Sequence, residues 1–304
     1  MKKNKWQILK RILLVTLILS LICVFCSCEE LLNLLLEQVP QDYEIPEGTA
    51  QVHFVDIGQG DATLIMADSK TMLIDTGEKD SDNVLINYLN AHNVTKLDYF
   101  VISHFDSDHF GEAVEVLNNF EVENVLIPDQ VKTTKMYESF MTALDEDESL
   151  NVIIANDIVG ESFSMGQLNI DVLAPLNDSY KDSNDYSITM LIRWGNIKFL
   201  LSGDAEKEAE EDIVAEYSKL QLDCDVFKSG HHGSRTSSSQ DLLDKATPDY
   251  VVISCGKDNK YEHPHIEAME RFEAIDNVKI YRTDEMGSIV FSTDGVTIEV
   301  ETEK

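Results

Sequence analysis

The residues best suited to chemistry lie in one short segment, which combines two histidines and two aspartates: His104, Asp106, Asp108 and His109. Imidazole nitrogen and carboxylate oxygen are the ligands that zinc and similar divalent ions take in proteins. The segment follows an apolar stretch typical of a β-strand, and the end of a strand delivers its loop to a sheet edge, where sites usually lie. An EF-hand calcium loop is excluded, because Phe110 and Leu117 stand where that loop needs oxygen ligands. We therefore predict a metal site here rather than a solvated acidic loop.

Two later segments present ligand-type residues in the same way. Asp204 follows an apolar strand-like run, and His231 and His232 lie in a glycine-flanked turn after Val226–Lys228. Taken singly, Asp204 fits a helix cap and the histidine pair fits a polar turn. Taken together, three strand ends are expected to bring six ligand-type side chains to one cleft, counting one of the two adjacent histidines; six are too many for one tetrahedral ion. The economical interpretation is a two-metal site with a bridging carboxylate.

Short apolar strands alternate with helical stretches from about residue 49 onwards, and these elements must position the ligands. The pattern predicts strands over 51–57, 99–103 and 196–201, and helices over 110–118 and 205–217, among others. Gly195-Asn196 and Asp294-Gly295 predict hairpin turns between late strands. No linker divides residues 49–304. We therefore predict one α/β domain with two mixed sheets covered by helices.

These motifs, in this order, resemble those of the metallo-β-lactamase fold superfamily, and specifically the extracellular domain of ComEC-type competence proteins. The matching segments extend over about residues 50–300: VDIGQGDA at 55–62, LIDTG at 73–77, HFDSDH at 104–109, NDYS at 184–187, LLSGD at 200–204, HHGSRTSS at 231–238 and HPH at 263–265. The resemblance implies an αββα sandwich with the metal cleft along one edge of the sheets. It also implies metal-dependent hydrolysis.

The resemblance further implies a role for each ligand-type residue. His104 and Asp106 match the ligands of one metal. The other metal is matched by Asp108, His109 and His231, with His232 as the alternative to His231. Asp204 matches the bridge between the two metals. The commonest superfamily form has His where Asp106 stands, and it supplies a third His to the first metal where this chain has Asn184 or Asp185. The first site is therefore harder in character. Zinc, with up to two ions per chain, is the expected cofactor, and manganese is the alternative.

Several further residues are candidates for supporting roles. Asp56, Asp61 and Asp75 lie in glycine-rich turns, where they either orient the ligand histidines from behind or serve ordinary turn geometry. His263 is a candidate proton donor or substrate contact, and a surface helix cap is its alternative. His232 is the other candidate donor.

The charge balance limits the class of partner. There are 24 Lys+Arg against 56 Asp+Glu, for a formal net charge of −32. Tight non-specific binding of DNA is not expected, because it depends on basic side chains that neutralise phosphates. A small anionic or nucleic-acid-like substrate remains compatible, since charges beyond about 8–10 Å are screened and divalent ions reverse the local sign. Lys228 and Ser234, near the histidine pair, either contact such an anion or belong to a solvated loop.

The first 28 residues are predicted to be a signal or an anchor. Five basic side chains within residues 2–11 precede an apolar run over 12–25. The run is shorter than the roughly 20 residues of a membrane span but suits a signal peptide. Ser27-Cys28 follows the run, and this pattern resembles a bacterial lipoprotein signal with Cys28 as the lipidated residue; an uncleaved anchor helix is the alternative. Both interpretations attach the chain to the outer face of the cell membrane, through a tether over 29–48.

These observations together predict an extracytoplasmic, membrane-anchored, metal-dependent hydrolase. A hydroxide activated by two metals would attack a phosphodiester or another ester-type centre, held by Asp108 and Asp204. A phosphodiester is favoured by analogy with the competence proteins, although one fold hosts many chemistries. The alternative is a lipoprotein whose degenerate metal site binds a ligand or partner without hydrolysis. The missing third His motivates that alternative.

Overall fold

The computed structural model describes residues 45–79 and 82–304. The signal or anchor predicted over 1–28, including Cys28, lies outside the described residues, as does the predicted tether up to residue 44. None of the helices in the described part of the chain combines the length and the apolar character that a membrane span requires.

Short strands and helices alternate along the chain, as the sequence pattern predicts. The strands are β1 (Ala50–Phe54), β2 (Thr63–Ala67), β3 (Lys70–Ile74), β4 (Lys96–Val101), β5 (Glu121–Ile127), β6 (Asn151–Ile154), β7 (Ser162–Met165), β8 (Leu168–Ala174), β9 (Thr189–Trp194), β10 (Ile197–Leu201), β11 (Val226–Lys228), β12 (Tyr250–Ile253), β13 (Lys279–Arg282), β14 (Ile289–Thr293) and β15 (Ile298–Thr302). The α-helices are α1 (Val84–Ala91), α2 (Ser107–Phe110), α3 (Ala113–Asn119), α4 (Lys135–Glu146), α5 (Lys207–Glu216), α6 (Lys219–Leu222), α7 (Gln240–Ala246), α8 (Ile266–Glu273) and α9 (Thr283–Met286). Short 3₁₀ turns cover Ala155–Ile158, Asn184–Tyr186 and Gly230–Gly233.

The strands form two mixed sheets, which confirms the predicted α/β class. The first sheet has the order β15-β14-β1-β2-β3-β4-β5-β6, and the second has the order β13-β12-β11-β10-β9-β8-β7. In the first sheet β3 to β6 run parallel, and in the second β10 to β13 do so. The remaining pairs are antiparallel. The parallel half of each sheet therefore gathers several carboxyl strand ends at one edge, where ligand sites of α/β proteins lie.

Alternation along the strands of the second sheet explains how it is covered on both faces. In β10, Phe199 and Leu201 belong to the core shared by the two sheets, whereas Leu200 belongs to a second core beneath the helices. Successive side chains of a strand point to opposite faces, so one apolar strand serves both cores. Phe227 and Ile213 complete the helix-side core with Leu200.

Helices also cover the first sheet. Phe100 of β4 packs edge-on against Phe140 of α4, with their ring centroids 6.5 Å apart, and both rings are fully buried. The next residue, Val101, faces the core between the sheets. The layers are therefore helix, sheet, sheet and helix, as the family resemblance implies.

The differences from the predicted elements have local causes. The helix predicted over 110–118 is two short helices that break at Gly111, where a Cβ would lie 2.4 Å from the backbone nitrogen of Lys79, so only glycine fits. The two-residue turn at Gly195-Asn196 is confirmed, because Trp194 pairs with Ile197. The turn that contains Asp294-Gly295 is longer and spans 294–297.

Candidate metal centre

Four buried side chains meet at the edge where the two sheets present their strand ends: Asp61, His109, Asp204 and His232. Each offers one ligand atom, and these atoms all lie within 4.8 Å of one another. Asp204 is central, because its Oδ2 lies 3.1 Å from His109 Nε2 and 3.4 Å from His232 Nε2. Imidazole and carboxylate groups in this arrangement have the chemistry of a divalent-metal site.

Asp204 reaches this position because it follows β10 without capping the next helix. Its backbone N–H donates to Ser187 Oγ at 3.0 Å. The helix cap comes from elsewhere: Asp185 Oδ1 accepts hydrogen bonds from the backbone N–H groups of Glu206 and Ala209 at the start of α5. The Asp204 carboxylate is therefore left to the cleft, and the helix-cap interpretation of Asp204 is wrong.

The two buried histidines of this group are held through their outer nitrogens. His109 Nδ1 donates to Asp75 Oδ2 at 2.8 Å, and His232 Nδ1 donates to the carbonyl of Ser254 at 3.0 Å. Asp75 is itself fixed by the backbone N–H and hydroxyl of Ser103, at 2.7 and 2.6 Å. Histidines that bind metals in proteins are oriented in this way, because a hydrogen bond at one nitrogen turns the other towards the ion.

The orphaned polar atoms of the centre fit a metal. Among the described residues, several buried ligand-type atoms here have no hydrogen-bond partner: His104 Nε2, His109 Nε2, His232 Nε2 and Asp204 Oδ1. Buried polar atoms are almost always satisfied, and each orphan costs about 1–3 kcal/mol. One or two divalent cations would satisfy all of them together. The residues present therefore fit the divalent metal that the sequence predicts.

The pKa values of the buried ligand-type groups depend on how close these groups lie to one another. Burial disfavours the charged form of Asp204, but His109 and His232 outweigh it and hold the pKa of Asp204 well below its ordinary value. Burial likewise opposes protonation of His109, yet Asp204 and Asp75 raise its pKa well above the usual range. For His104, burial dominates, with a further contribution from His109, and lowers its pKa to about 4. Neutral imidazole is the form that binds metals, so His104 is already in the ligand form at neutral pH.

Asp61 lies inside the group rather than behind it. Its carboxylate contacts the ammonium of Lys228, which is only 3% exposed, and its oxygens lie 3.8 Å from His109 Nδ1 and 3.7 Å from His232 Nδ1. Lys228 also donates to the carbonyl of Ser229 at 3.2 Å. Lys228 therefore neutralises buried carboxylate charge, and in this geometry it does not face the cleft.

The pair predicted for the first metal flanks this group. The His104 ring lies 4.2 Å from the His109 ring, and its Nδ1 lies 3.1 Å from Ser103 Oγ. Asp106 is more open, and its Oδ1 accepts hydrogen bonds from Lys132 and Ser183, both at 2.8 Å. The assignment of His104 and Asp106 to a first ion stays a prediction.

The two adjacent histidines occupy different environments. Both adopt left-handed backbone angles, with φ of 47° at His231 and 54° at His232. His232 is buried and its Nε2 lies 3.4 Å from Asp108 Oδ2. His231 is a quarter exposed, its Nδ1 donates to Glu206 Oε1 at 2.7 Å, and its Nε2 lies 3.9 Å from Asp204. The geometry therefore places His232, the alternative ligand, closer to the centre than His231.

The remaining predicted residues lie around this centre or outside it. His263 lies close by, with its ring 5.3 Å from that of His231. Asn184 Nδ2 lies 3.3 Å from His231 Nδ1, and Ser234 shares a hydrogen bond with Thr236. Asp56 accepts from the backbone of Gly58 and contacts Lys304, which is ordinary turn chemistry.

Sequence reasoning missed two glutamates: Glu206, which precedes α5, and Glu210 within that helix. Glu206 binds His231 and also accepts from the Thr236 hydroxyl at 2.8 Å. Glu210 is 1% exposed, and its two oxygens accept from the backbone N–H groups of Ser238 and Ser239. In an acidic helix these residues look like solvated surface. The one available signal was their spacing of two and six residues after Asp204.

The comparison with protein families agrees with this fold and centre. The model of the metallo-beta-lactamase superfamily matches residues 55–257. The chain belongs to the metallo-beta-lactamase superfamily. The matched range contains all four residues of the buried group. The family and the centre together indicate a divalent-metal site.

The chain is also similar to longer proteins in sequence and to a solved structure in fold. The chain is 29% identical to ComE operon protein 3 of Bacillus subtilis, over 82% of this chain and 34% of that protein. It is 30% identical to Recombination protein 2 of Haemophilus influenzae, over 78% and 29%. The chain thus spans about a third of each relative. The metallo hydrolase Igni18 of Ignicoccus hospitalis shares the fold at a TM-score of 0.52 and 18% identity, over 80% of this chain and 98% of that one.

Replacement of His232 by Ala should weaken zinc binding more than replacement of His231. His232 Nε2 is buried without a hydrogen-bond partner beside Asp204, whereas His231 is already engaged by Glu206. We expect His232→Ala to weaken zinc binding by about 100-fold and His231→Ala by about tenfold or less. Competition with a chromogenic chelator measures both values, and His92→Ala is the control outside the centre. A larger loss in His231→Ala would make His231 the ligand.

Glu210 should make stability depend on pH. Burial raises the pKa of Glu210 to about 7, although the N–H groups of Ser238 and Ser239 and the charge of Arg271 act in the opposite direction. Its ionisation therefore costs more in the folded chain than in the unfolded one. The stabilising contribution is complete below about pH 4.5, the ordinary pKa of glutamate, and is lost as the pH rises towards 7.

Urea unfolding of the wild type and of Glu210→Gln between about pH 4.5 and pH 8 checks this expectation. We expect the free energy of unfolding of the wild type to fall with pH relative to that of the variant, by an amount on the order of 3 kcal/mol across the range. Glu211→Gln, on the exposed side of the same helix, should keep the wild-type slope. Parallel pH profiles for the wild type and Glu210→Gln would show that Glu210 does not titrate in this range.

Proposed function

We propose that the chain is a metal-dependent hydrolase that acts on phosphodiesters or related esters at the outer face of a bacterial membrane. The observation that supports hydrolysis is the set of buried imidazole and carboxylate atoms that converge without partners at one strand edge. In a purely structural core, such polar atoms would either have hydrogen-bond partners or be absent. Zinc is the favoured ion, and the carboxylate-rich set with Asp106 keeps manganese as the alternative.

Each residue of the centre has a task in this proposal. Divalent metal held by His109, Asp204 and His232 would lower the pKa of water and stabilise negative charge on the reacting group. Asp75 and the Ser254 carbonyl keep the two imidazoles aimed, so no reorganisation is needed during reaction. Asp108, which is 23% exposed and 3.4 Å from His232 Nε2, lies where it can orient the attacking water.

Proton delivery to the leaving group fits His231 better than the two donors predicted from sequence. Its Nδ1 is held by Glu206, and the side chain is 25% exposed at the cleft. His232 is buried within the metal group. Burial, together with His232 and His231, lowers the pKa of His263 to about 4, so His263 carries no extra proton at neutral pH. A general acid must be protonated near the working pH.

The substrate class is supported by the relatives and by the chemistry of the centre. A recombination protein is among the relatives, which favours a nucleic-acid-like phosphodiester. The net charge of −32 does not oppose this, because two divalent ions bound at the centre would reverse the sign of the cleft. Tight non-specific binding to duplex DNA is not part of the proposal.

Attachment to the outer face of the membrane is proposed from the first 28 residues, with Cys28 as the lipidated residue. Radioactive palmitate should label the wild-type chain expressed in a bacterium, and Cys28→Ala should abolish the label. Equal labelling of the variant would remove the lipoprotein interpretation.

A second candidate function is binding without hydrolysis. Asp106, predicted as a metal ligand, is occupied by Lys132 and Ser183, and no third His supplies the first metal site. A centre that holds one metal ion instead of two would bind a ligand without hydrolysing it. About one ion per chain and no activity would favour this second function.

Metal-loaded protein assayed against a phosphodiester, a β-lactam and a lactone tests the proposed hydrolysis. We expect turnover of the phosphodiester, and we expect Asp204→Asn at saturating metal to lower kcat/KM by about 100-fold or more, because the central carboxylate is lost. Asp223→Asn is the matched control, since Asp223 is half-buried and pairs with Lys198 away from the centre. No turnover of any substrate, or equal activity in Asp204→Asn and the wild type, would reject the hydrolase.

A further inference from the structure

A column of rings leads from the metal centre to the surface. The His263 ring lies 5.3 Å from the His231 ring and 6.1 Å from the His232 ring. Tyr261 stacks on His263, with a centroid distance of 5.7 Å and an interplanar angle of 23°. His263 is buried, whereas Tyr261 is 47% exposed. The column therefore ends in a half-exposed aromatic ring at the surface.

Tyr261 stands out within the part of the chain that the structure describes, because it is the one exposed aromatic side chain there. Isolated apolar side chains on a surface need no explanation. This ring differs in that its inner neighbour is a buried histidine in ring contact with the metal-site histidines. Its position relative to the centre is therefore fixed by packing.

One amide side chain fixes the loop that carries the ring. Asn259 Oδ1 accepts from the backbone N–H groups of Tyr261 at 3.1 Å and His263 at 3.0 Å. Asn259 Nδ2 donates to the carbonyls of Gly256 at 2.8 Å and His263 at 2.6 Å. Four hydrogen bonds thus hold the loop in place before any ligand arrives. A ring that is already ordered loses little entropy when a ligand stacks on it.

A cation lies over the ring. The ammonium of Lys260 is 4.8 Å from the Tyr261 ring centroid. The Tyr261 hydroxyl, followed by the charges of Glu78 and Asp108, raises the pKa of Lys260 above its ordinary value. Lys260 neighbours Tyr261 in the chain, and the ring of Tyr261 stacks on His263, so this cation belongs to the same loop as the ring column. An exposed ring and a cation at the rim of a phosphodiester site are the two elements with which proteins hold single-stranded nucleic acids.

We propose that Tyr261 is a stacking platform for a nucleobase of a single-stranded substrate, and that Lys260 contacts the phosphate beside that base. The substrate class rests on the proposed phosphodiester hydrolysis, but binding can be measured without turnover. The platform makes the site prefer phosphodiesters that carry a planar base. Because one ring and one lysine act locally, the preference does not require a basic protein surface.

Fluorescence anisotropy of labelled oligonucleotides tests the platform. The metal-loaded full chain is titrated against a phosphorothioate oligothymidylate of roughly eight nucleotides, within the usual site size, and against an abasic strand of the same length. Phosphorothioate linkages resist hydrolysis, and both strands carry the same charge. The readout is the ratio of the two dissociation constants, which isolates the contribution of the bases.

We expect the wild type to prefer the strand with bases and Tyr261→Ala to reduce that preference by about tenfold. Tyr261→Phe keeps the ring and should keep the preference. Leu220→Ala, which alters an 83% exposed side chain on α6, is the surface control. Lys260→Ala should weaken binding of both strands equally, because it removes a phosphate contact.

A wild type without preference for bases, or an unchanged preference in Tyr261→Ala, overturns the platform. The proposed hydrolysis fails separately. Base preference without turnover of a normal phosphodiester would reject the hydrolase and keep the platform. Turnover without base preference would reject the platform and keep the hydrolase.

Discussion

The buried carboxylate of Asp204 is the interaction on which the rest of the centre depends. It follows β10, the strand that pairs antiparallel with β9 and parallel with β11. Imidazoles from the other sheet and from the end of β11 approach the same oxygen, at 3.1 Å from His109 and 3.4 Å from His232. A carboxylate is removed from water only when it is paired and hydrogen-bonded. The two sheets must therefore meet at this edge in one arrangement.

Hydrogen bonds behind the ligand-type side chains stabilise that arrangement. Asp75 fixes His109 and is itself fixed by Ser103, and the Ser254 carbonyl fixes His232. Lys228 offsets the charge of Asp61. Asp75, Ser103 and His109 all follow strands of the first sheet, and Ser254 and His232 follow strands of the second, so of these supports it is the pair of Lys228 and Asp61 that joins the two sheets. Loss of one support leaves a buried group unpaired, which is more costly than the bond itself.

The motifs predicted the family, the layers and the metal chemistry, because histidine and aspartate after apolar strands carry a local signal. The choice between His231 and His232 could not be predicted. It depends on left-handed backbone angles at both residues and on contacts with Ser254 and Glu206, which are distant in sequence. The cap of α5 could not be predicted for the same reason: Asp185, which accepts hydrogen bonds from the start of that helix, is separated from it by two intervening strands.

The acidity of the chain and an anionic substrate are compatible because they act over different distances. The net charge of −32 works through solvent and is screened beyond about 8–10 Å. Near the centre the basic side chains have specific positions: Lys228 against Asp61, Lys132 against Asp106 and Lys260 beside Tyr261. A long polyanion would meet the repelling surface along its length, whereas a short single strand meets mainly the cleft. Lys228 and Lys132 are thus already paired with carboxylates, so under the proposed function it is bound divalent ions that would give the cleft a positive sign and attract a short anionic substrate.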